Sequence, residues 1–481
     1  MVDLREFWLK RGKAYLPIVL ILLLAASLRF VGIADESIWL DEGVSISASR
    51  MSVSDIVNWT ASDIHPPFYY LALKGWSLFG QSEFVFRSFS AVLGVLTVLV
   101  VYYVCLDLFG KRVGLAASLL LAVNPVNVYY SQEVRMFSLM AFLVLVSCYA
   151  FWKCLNVPRI RFLAVYVVSS VMMLYTHYFG VLVVGFQGLY FAALFLFNRN
   201  LIKDKKMVAG SLIVVFLLFV PWLPALFGAV FNPQVGMEWM PKPDLFLLRD
   251  CYFGMMGGFA PDVRGVSDFW GLLLIPVFFT VVGLVAALRR PFGARAFFSA
   301  SSLFPVVVFV ISLMVTPVLL LRQVSIFIPE LLIVMALGIL FVVSRISLRR
   351  RVLGRVCAIA VVCVLVCMNF VSVYQSYAVD TKEDWRSVAL DASNVSEEVP
   401  IVMPVWYVRI PFEYYYRGTA VVEIAASLPE IEKAVGEESE FLFILPLYHV
   451  NETMIIADLK EHFHLVDEKS YINIDVYHFS R

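Results

Sequence analysis

The sequence predicts an α-helical polytopic membrane protein carrying a small C-terminal α/β domain. Three observations predict it: eleven long apolar runs, a lopsided distribution of Lys and Arg between their connections, and a change of composition near residue 374. Of the 481 residues, 61% are hydrophobic and 16% charged, against about 45–50% and 25% in soluble chains. The mean hydropathy of +0.83 agrees. A net charge of +1 leaves no basic footprint for a nucleic acid, so none is expected as a partner. The seven cysteines show neither metal-ligand spacing nor a disulfide framework.

Runs of roughly 18–22 apolar residues cross a hydrocarbon layer of about 30 Å as helices. The expected spans are 14–32, 84–109, 113–130, 136–155, 162–178, 180–197, 207–228, 269–288, 297–316, 324–344 and 356–373. The first run is too long for a signal-peptide core and leads into polar sequence without a small-x-small cleavage site, so it reads as a retained anchor. The stretch 66–80, with Lys74, Trp76 and Phe79 after two prolines, reads instead as an amphipathic helix in the outer interface. With the N-terminus cytoplasmic, the inner connections hold 21 basic residues, including Lys111, Arg112, Lys205, Lys206 and the Arg349–Arg351 run. The outer ones hold eight: Arg50, Lys74, Arg87, Arg135, Lys242, Arg249, Arg264 and Arg322. The positive-inside rule therefore favours this orientation, with the C-terminal domain extracytoplasmic. The acceptor triplets at Asn58, Asn394 and Asn451 all fall on the expected outer side.

The expected domains are a bundle over 1–373, with a first outer loop at 33–83, and an extracytoplasmic domain over 374–481. In the latter, Val399–Val405, Ala420–Ile424, Phe441–Pro446 and Ile472–Phe479 read as strands. Helices are expected over 383–394, with Thr381 and Asp384 as a capping box, and over 408–417, 429–437 and 452–463, the last capped by Asn451. Alternating strands and helices point to an α/β domain.

Charged groups beside membrane helix ends are costly and hence functional candidates. Here they gather on the outer side. The first loop holds Asp41 and Glu42, then Asp63-Ile64-His65-Pro66-Pro67; the second holds Tyr130, Glu133 and Arg135. The third holds His177 and Tyr178, and Arg322 opens the tenth span. These loops are expected to converge on one cavity. Sugar transfer from a lipid phosphate fits the set: a carboxylate takes the proton of an attacking hydroxyl, and arginine forks hold the departing phosphate. Asp41 with Arg322 and Arg135 meets that need. A divalent ion shared by Asp41, Glu133 and His177 is compatible with the sequence, although no ligand spacing requires one.

The ordered series Trp39-Leu40-Asp41-Glu42, His65-Pro66-Pro67-Phe68-Tyr69-Tyr70, Leu78-Phe79-Gly80 with Glu83 and Arg87, Tyr130-Ser131-Gln132-Glu133-x-Arg135-Met136, Tyr175-Thr176-His177-Tyr178-Phe179-Gly180, the Arg322 helix and Lys382-Glu383-Asp384-Trp385-Arg386 carries a resemblance. It resembles the dolichyl-phosphate-mannose–protein mannosyltransferase-like family of the GT-C glycosyltransferases, a group that includes the lipid A aminoarabinose transferases. The resemblance implies a GT-C bundle and an inverting transferase. It also implies a polyprenyl- or dolichyl-phosphate-linked sugar donor, an acceptor on protein, lipid or glycan, and an outward-facing site. It places Asp41 as base with Glu42 in support, and Arg322, Arg135 and His65 at the donor phosphate. Glu133, Tyr130, His177 and Tyr178 would contact substrate or acceptor. The aminoarabinose transferases carry a lysine near the donor phosphate where this chain reads His65-Pro66-Pro67.

Two rivals are a flippase for lipid-linked sugars and an inactive scaffold. A transporter should show inverted repeats and mid-membrane ionisable groups. No internal repeat is visible, and Arg29 is the main ionisable residue within the spans.

Overall fold

Apolar runs become helices because hydrocarbon offers no partner to a free amide or carbonyl. The computed structural model describes residues 4–231, 240–258, 270–289, 292–347, 351–378, 381–395, 399–447 and 452–481. In chain order the helices of the membrane part and its loops are α1 (Leu4–Phe30), α2 (Leu40–Arg50), α3 (Val53–Ala61), α4 (Phe68–Trp76), α5 (Glu83–Leu108), α6 (Lys111–Ala122), α7 (Pro125–Ser131), α8 (Phe137–Asn156), α9 (Ile160–Leu174) and α10 (Phe179–Phe197). They continue with α11 (Lys205–Phe219), α12 (Leu223–Phe231), α13 (Leu245–Phe253), α14 (Trp270–Leu288), α15 (Ala294–Ser301), α16 (Phe304–Met314), α17 (Leu321–Val324), α18 (Ile328–Ser347) and α19 (Arg351–Ala378).

Among the described residues, seven helical stretches are long and apolar enough to cross a membrane, or eight if the bent pair α6–α7 is one span. Shorter apolar helices occupy Tyr15–Phe30, Ile160–Leu174 and Leu273–Leu288. Together these fall on the eleven apolar runs of the sequence. α4 is nine residues long, about 13 Å at 1.5 Å per residue, too short to cross. Exposed apolar side chains on α10 to α12, among them Leu189, Phe197, Ile213 and Phe216, suit a lipid-facing surface.

The chain divides into two compact units. The first comprises Met1–Val31, Ser52–Leu78 and Arg87–Ala378; the second comprises Gly32–Met51, Phe79–Phe86 and Val379–Arg481. This division differs from the boundary expected at 373. α19 continues to Ala378, and residues 32–51, with α2, belong to the unit of the C-terminal domain.

In the first unit, α6 and α7 bend by 61°, and the break exposes carbonyls that need donors. Arg29, fully buried at the end of α1, supplies them. Its Nη1 donates to Ala122 O at 3.0 Å and its Nη2 to Leu121 O at 3.2 Å and Asn127 Oδ1 at 2.6 Å. Asn124 caps α7 by accepting from the Asn127 amide at 3.0 Å. Gly94 leaves room for the guanidinium: a Cβ there would lie 2.7 Å from Arg29 Nε. Glu330, buried in the first turn of α18, is a further ionisable group within a span. The surrounding apolar run hid it from the sequence reading.

The second unit contains a five-stranded sheet in the order β2-β1-β3-β5-β4. Its strands are β1 (Ile401–Met403), β2 (Val422–Ile424), β3 (Glu440–Pro446), β4 (His464–Tyr471) and β5 (Ile474–Ser480). β2, β1 and β3 run parallel, and β3-β5-β4 antiparallel. The expected strand at 472–479 is therefore one arm of a hairpin turning at Asn473, whose positive φ of 59° suits asparagine. Its other arm, β4, has the edge-strand sequence His464-Leu-Val-Asp-Glu-Lys-Ser-Tyr471. Helices α20 (Trp385–Ser393), α21 (Arg409–Tyr415), α22 (Leu428–Val435) and α23 (Glu452–His462) complete the unit. Side chains alternate along β3. Leu442 and Ile444 pack with Trp385 and Phe412, while Phe441 and Phe443 pack with Ile431 and Leu459, so both faces are covered. Asp384, not Thr381, caps α20, accepting from the Ser387 amide at 3.1 Å. The proposed caps and triplets at Asn451 and at Asn394–Ser396 reach residues outside those described.

Candidate active site

Pro66 and Pro67 set a rigid entry to α4, and the Phe68 amide donates to Tyr175 O at 2.8 Å. That bond ties the loop between α3 and α4 to the turn between α9 and α10. It accounts for His65 and His177 lying 5.7 Å apart, centroid to centroid. His65 Nδ1 lies 3.4 Å from Asp63 Oδ2. Burial alone would raise the Asp63 carboxyl, but the His65 hydrogen bond and charge outweigh it and hold the group below its ordinary range.

His177 is buried, and its Nδ1 accepts from the Phe179 amide at 3.1 Å. A neutral ring bonded this way carries its proton on Nε2. Burial, with His65 and Arg135 close by, depresses the imidazole to about 3. His177 is thus a neutral donor near pH 7 rather than a cation for phosphate. Glu133 and Arg135 follow α7 and are buried. The Arg135 carbonyl accepts from Ser90 Oγ at 3.4 Å. Tyr130 is half-buried between the rings of Tyr129 and Phe137, at 5.3 and 5.2 Å.

A cavity of about 340 Å³ opens beside His65 and His177, whereas Glu133, Arg135, Tyr130 and Arg322, expected at the same cavity, do not line it. The polar residues of its lining are His65, His177, Tyr178, Thr316 and Gln323, and Phe179, Leu182, Leu226, Phe227, Val230 and Ile311 make it largely apolar. The buried Gln323 Oε1 has no hydrogen-bond partner among the described residues, a costly state unless a ligand completes it. Arg322, its half-buried neighbour, sits in α17. The first unit therefore brings together His65, His177 and Tyr178 with Gln323, a residue the sequence reading did not single out.

Asp41 and Glu42 belong to the second unit. They occupy the first turn of α2, where the helix dipole favours negative charge. The two side chains differ: Asp41 is half-buried, whereas Glu42 is fully buried with Lys382 Nζ at 3.4 Å from its Oε2. Lys382 appeared in the sequence only within a motif; its pairing across 340 residues left no local signal. Among the described residues, no three His, Cys, Asp or Glu side chains form a group suited to a metal ion.

A family model described as dolichyl-phosphate-mannose-protein mannosyltransferase matches residues 64–224. No curated protein sequence matches the chain. Crystal structures of ArnT from Cupriavidus metallidurans are similar along its whole length. The apo form gives a TM-score of 0.64 at 14% identity, covering 96% of this chain and 97% of that one. The form bound to undecaprenyl phosphate gives 0.63 at 14%, covering 97% and 98%. This chain has the GT-C superfamily fold. The GT-C match extends to the archaeal oligosaccharyltransferase AglB from Archaeoglobus fulgidus, in complex with an inhibitory peptide and a dolichol-phosphate. There the TM-score is 0.58 at 14% identity, covering 91% of this chain and 70% of that one. The GT-C assignment agrees with the resemblance carried by the motifs, and the ArnT match takes in the C-terminal domain.

Proposed function

We propose that this protein is an inverting glycosyltransferase that moves a sugar from a polyprenyl- or dolichyl-phosphate donor to an acceptor hydroxyl at the outer membrane face. The observation that carries the reading is the apolar cavity lined by His65, His177, Tyr178 and Gln323 in a GT-C bundle. Its lining suits a prenyl chain joined to a polar headgroup. The orientation with the N-terminus inside and the C-terminal domain outside rests on the Lys and Arg distribution.

In this mechanism Asp41 accepts the proton of the acceptor hydroxyl as its oxygen attacks the anomeric carbon. The bond from that carbon to the phosphate oxygen breaks, and the configuration inverts. Arg322 and Arg135 stabilise the lipid phosphate that departs, by charge-assisted hydrogen bonds. His65, His177 and Tyr178 orient the donor, and Glu133 and Tyr130 serve the acceptor. Glu42, paired with Lys382, supports Asp41.

The test is turnover of dolichyl-phosphate mannose and of undecaprenyl-phosphate aminoarabinose by the purified protein, with and without chelator. Release of the lipid phosphate with transfer of the sugar is expected from at least one donor and lost in Asp41→Asn. Flipping of either lipid without transfer would replace the enzyme by the transporter reading.

A further inference from the structure

We infer that Lys382 is a positioning residue: the C-terminal domain holds the base-bearing helix α2 in place through this buried lysine. The inference rests on the assignment of Asp41 as base and gives the C-terminal domain a role in the reaction. All the contacts lie within the second compact unit.

Lys382 precedes the cap of α20 and is only 8% exposed, while Glu42 is 0% exposed. The ammonium lies 3.4 Å from Glu42 Oε2 and 3.9 Å from Glu36 Oε2. Glu36 also grips the same turn from its other oxygen, where Oε1 accepts the amides of Thr381 at 2.7 Å and Lys382 at 3.2 Å. Charges this deep survive only as compensated pairs, and removal of one partner leaves the other stranded. Further bonds run in parallel. Ser37 Oγ donates to Asp384 Oδ1 at 3.1 Å and accepts from the Arg386 amide at 3.1 Å. Tyr415 Oη accepts from the Ile38 amide at 2.8 Å. Gly43, next to Glu42 in α2, packs on α21 so closely that a Cβ would sit 3.3 Å from Pro411 N.

Glu42 and Asp41 are adjacent in one helical turn, about 100° apart around its axis at 3.6 residues per turn. A rigid anchor on Glu42 therefore fixes the direction of Asp41, and a base misplaced by about 1 Å loses rate rather than affinity. Loss of the lysine takes its ammonium away from the buried Glu42 and from Glu36, so α2 shifts or frays and Asp41 moves with it.

The full-length protein tests this by two readouts, with Lys382→Met, Lys382→Arg and Lys382→Met/Glu42→Gln beside Asp41→Asn. Hydrogen exchange of the amides at 38–48 is expected to speed up at least about tenfold in Lys382→Met and to return towards wild type in Lys382→Arg. Exchange in α8 and α18 should not change. With a donor that is turned over, kcat falls at least about tenfold at near-constant donor KM. The double variant is no slower than Lys382→Met, because the buried carboxylate that faced the lysine is removed with it. Unchanged exchange at 38–48, or faster exchange with wild-type kcat, overturns the inference. Wild-type turnover by Asp41→Asn would instead remove the base assignment, and the exchange result would still say whether Lys382 holds α2.

Discussion

The Phe68 amide and the Tyr175 carbonyl, 107 residues apart, meet at 2.8 Å, and this one backbone bond brings His65 and His177 to the same cavity. It depends on no side chain. The pairing is therefore sensitive to the backbone of the His65-Pro66-Pro67 turn rather than to the identity of Phe68.

Replacement of Pro67 by Gly frees this turn and should raise the donor KM while leaving most of the fold intact. Loosening a rigid turn costs about 0.4–1 kcal/mol through the unfolded chain alone. A donor KM unchanged in Pro67→Gly would show that the turn does not organise the cavity.

His177 should make stability acid-sensitive in a defined window. Its folded value of about 3 lies below its ordinary 6.5, so the unfolded chain takes up a proton first as the pH falls. Stability is full above about pH 6.5 and is lost as the pH falls towards 3, by up to about 1.4 kcal/mol per pH unit for one proton. Asp63, held low by His65, adds its loss only below about pH 4. His177→Asn keeps an acceptor for the Phe179 amide, so its Tm should fall less between pH 7 and 5 than that of the wild type. An equal slope would place the acid-sensitive group elsewhere.

Gly94 and Arg29 should be energetically coupled. The Cβ of Gly94→Ala meets Ser131 Oγ first and then Arg29 Nε at 2.7 Å, so the test is made in a Ser131→Ala background; overpacking of this kind costs about 1–3 kcal/mol. The substitution should lower Tm in that background and less so beside Arg29→Ala. Additive losses would show that the guanidinium is not what fills the space.

The cavity should be the site of the prenyl chain. Leu182→Trp fills part of it and should raise KM about tenfold for a long-chain donor, and less for a short-chain analogue. An equal effect on both chain lengths would place the tail outside the cavity.

Much of this was legible in the sequence, because hydrophobic length and turn chemistry are local signals. The eleven apolar runs, the short α4 after its prolines and four of the five strands lie close to where pattern alone puts them. β4 was missed because His464–Tyr471 is mostly exposed and carries Asp467, Glu468 and Lys469, charges of the kind that keep an edge strand from pairing with another chain. The end of α19 was missed because Tyr374–Ala378 loses its apolar character before it loses its helix. What no window reveals is partnership over distance. Glu36 with Thr381, Ser37 with Asp384, and Glu42 with Lys382 are each separated by about 340 residues or more. Those pairs decide that the Asp41 segment packs with the C-terminal domain. Glu330 escaped notice for a related reason, as a single carboxylate within an apolar run, and Gln323 because the charge of its neighbour Arg322 drew the attention.

Asp41 carries the account, and Asp41→Asn tests it most directly. Asn keeps the shape of the side chain in the first turn of α2 and removes the proton acceptor. The account predicts a fall in sugar transfer of about 10²–10⁴-fold, with unchanged Tm and unchanged binding of the polyprenyl phosphate. Transfer within a few fold of wild type, from protein equally folded and equally loaded with donor, would contradict it.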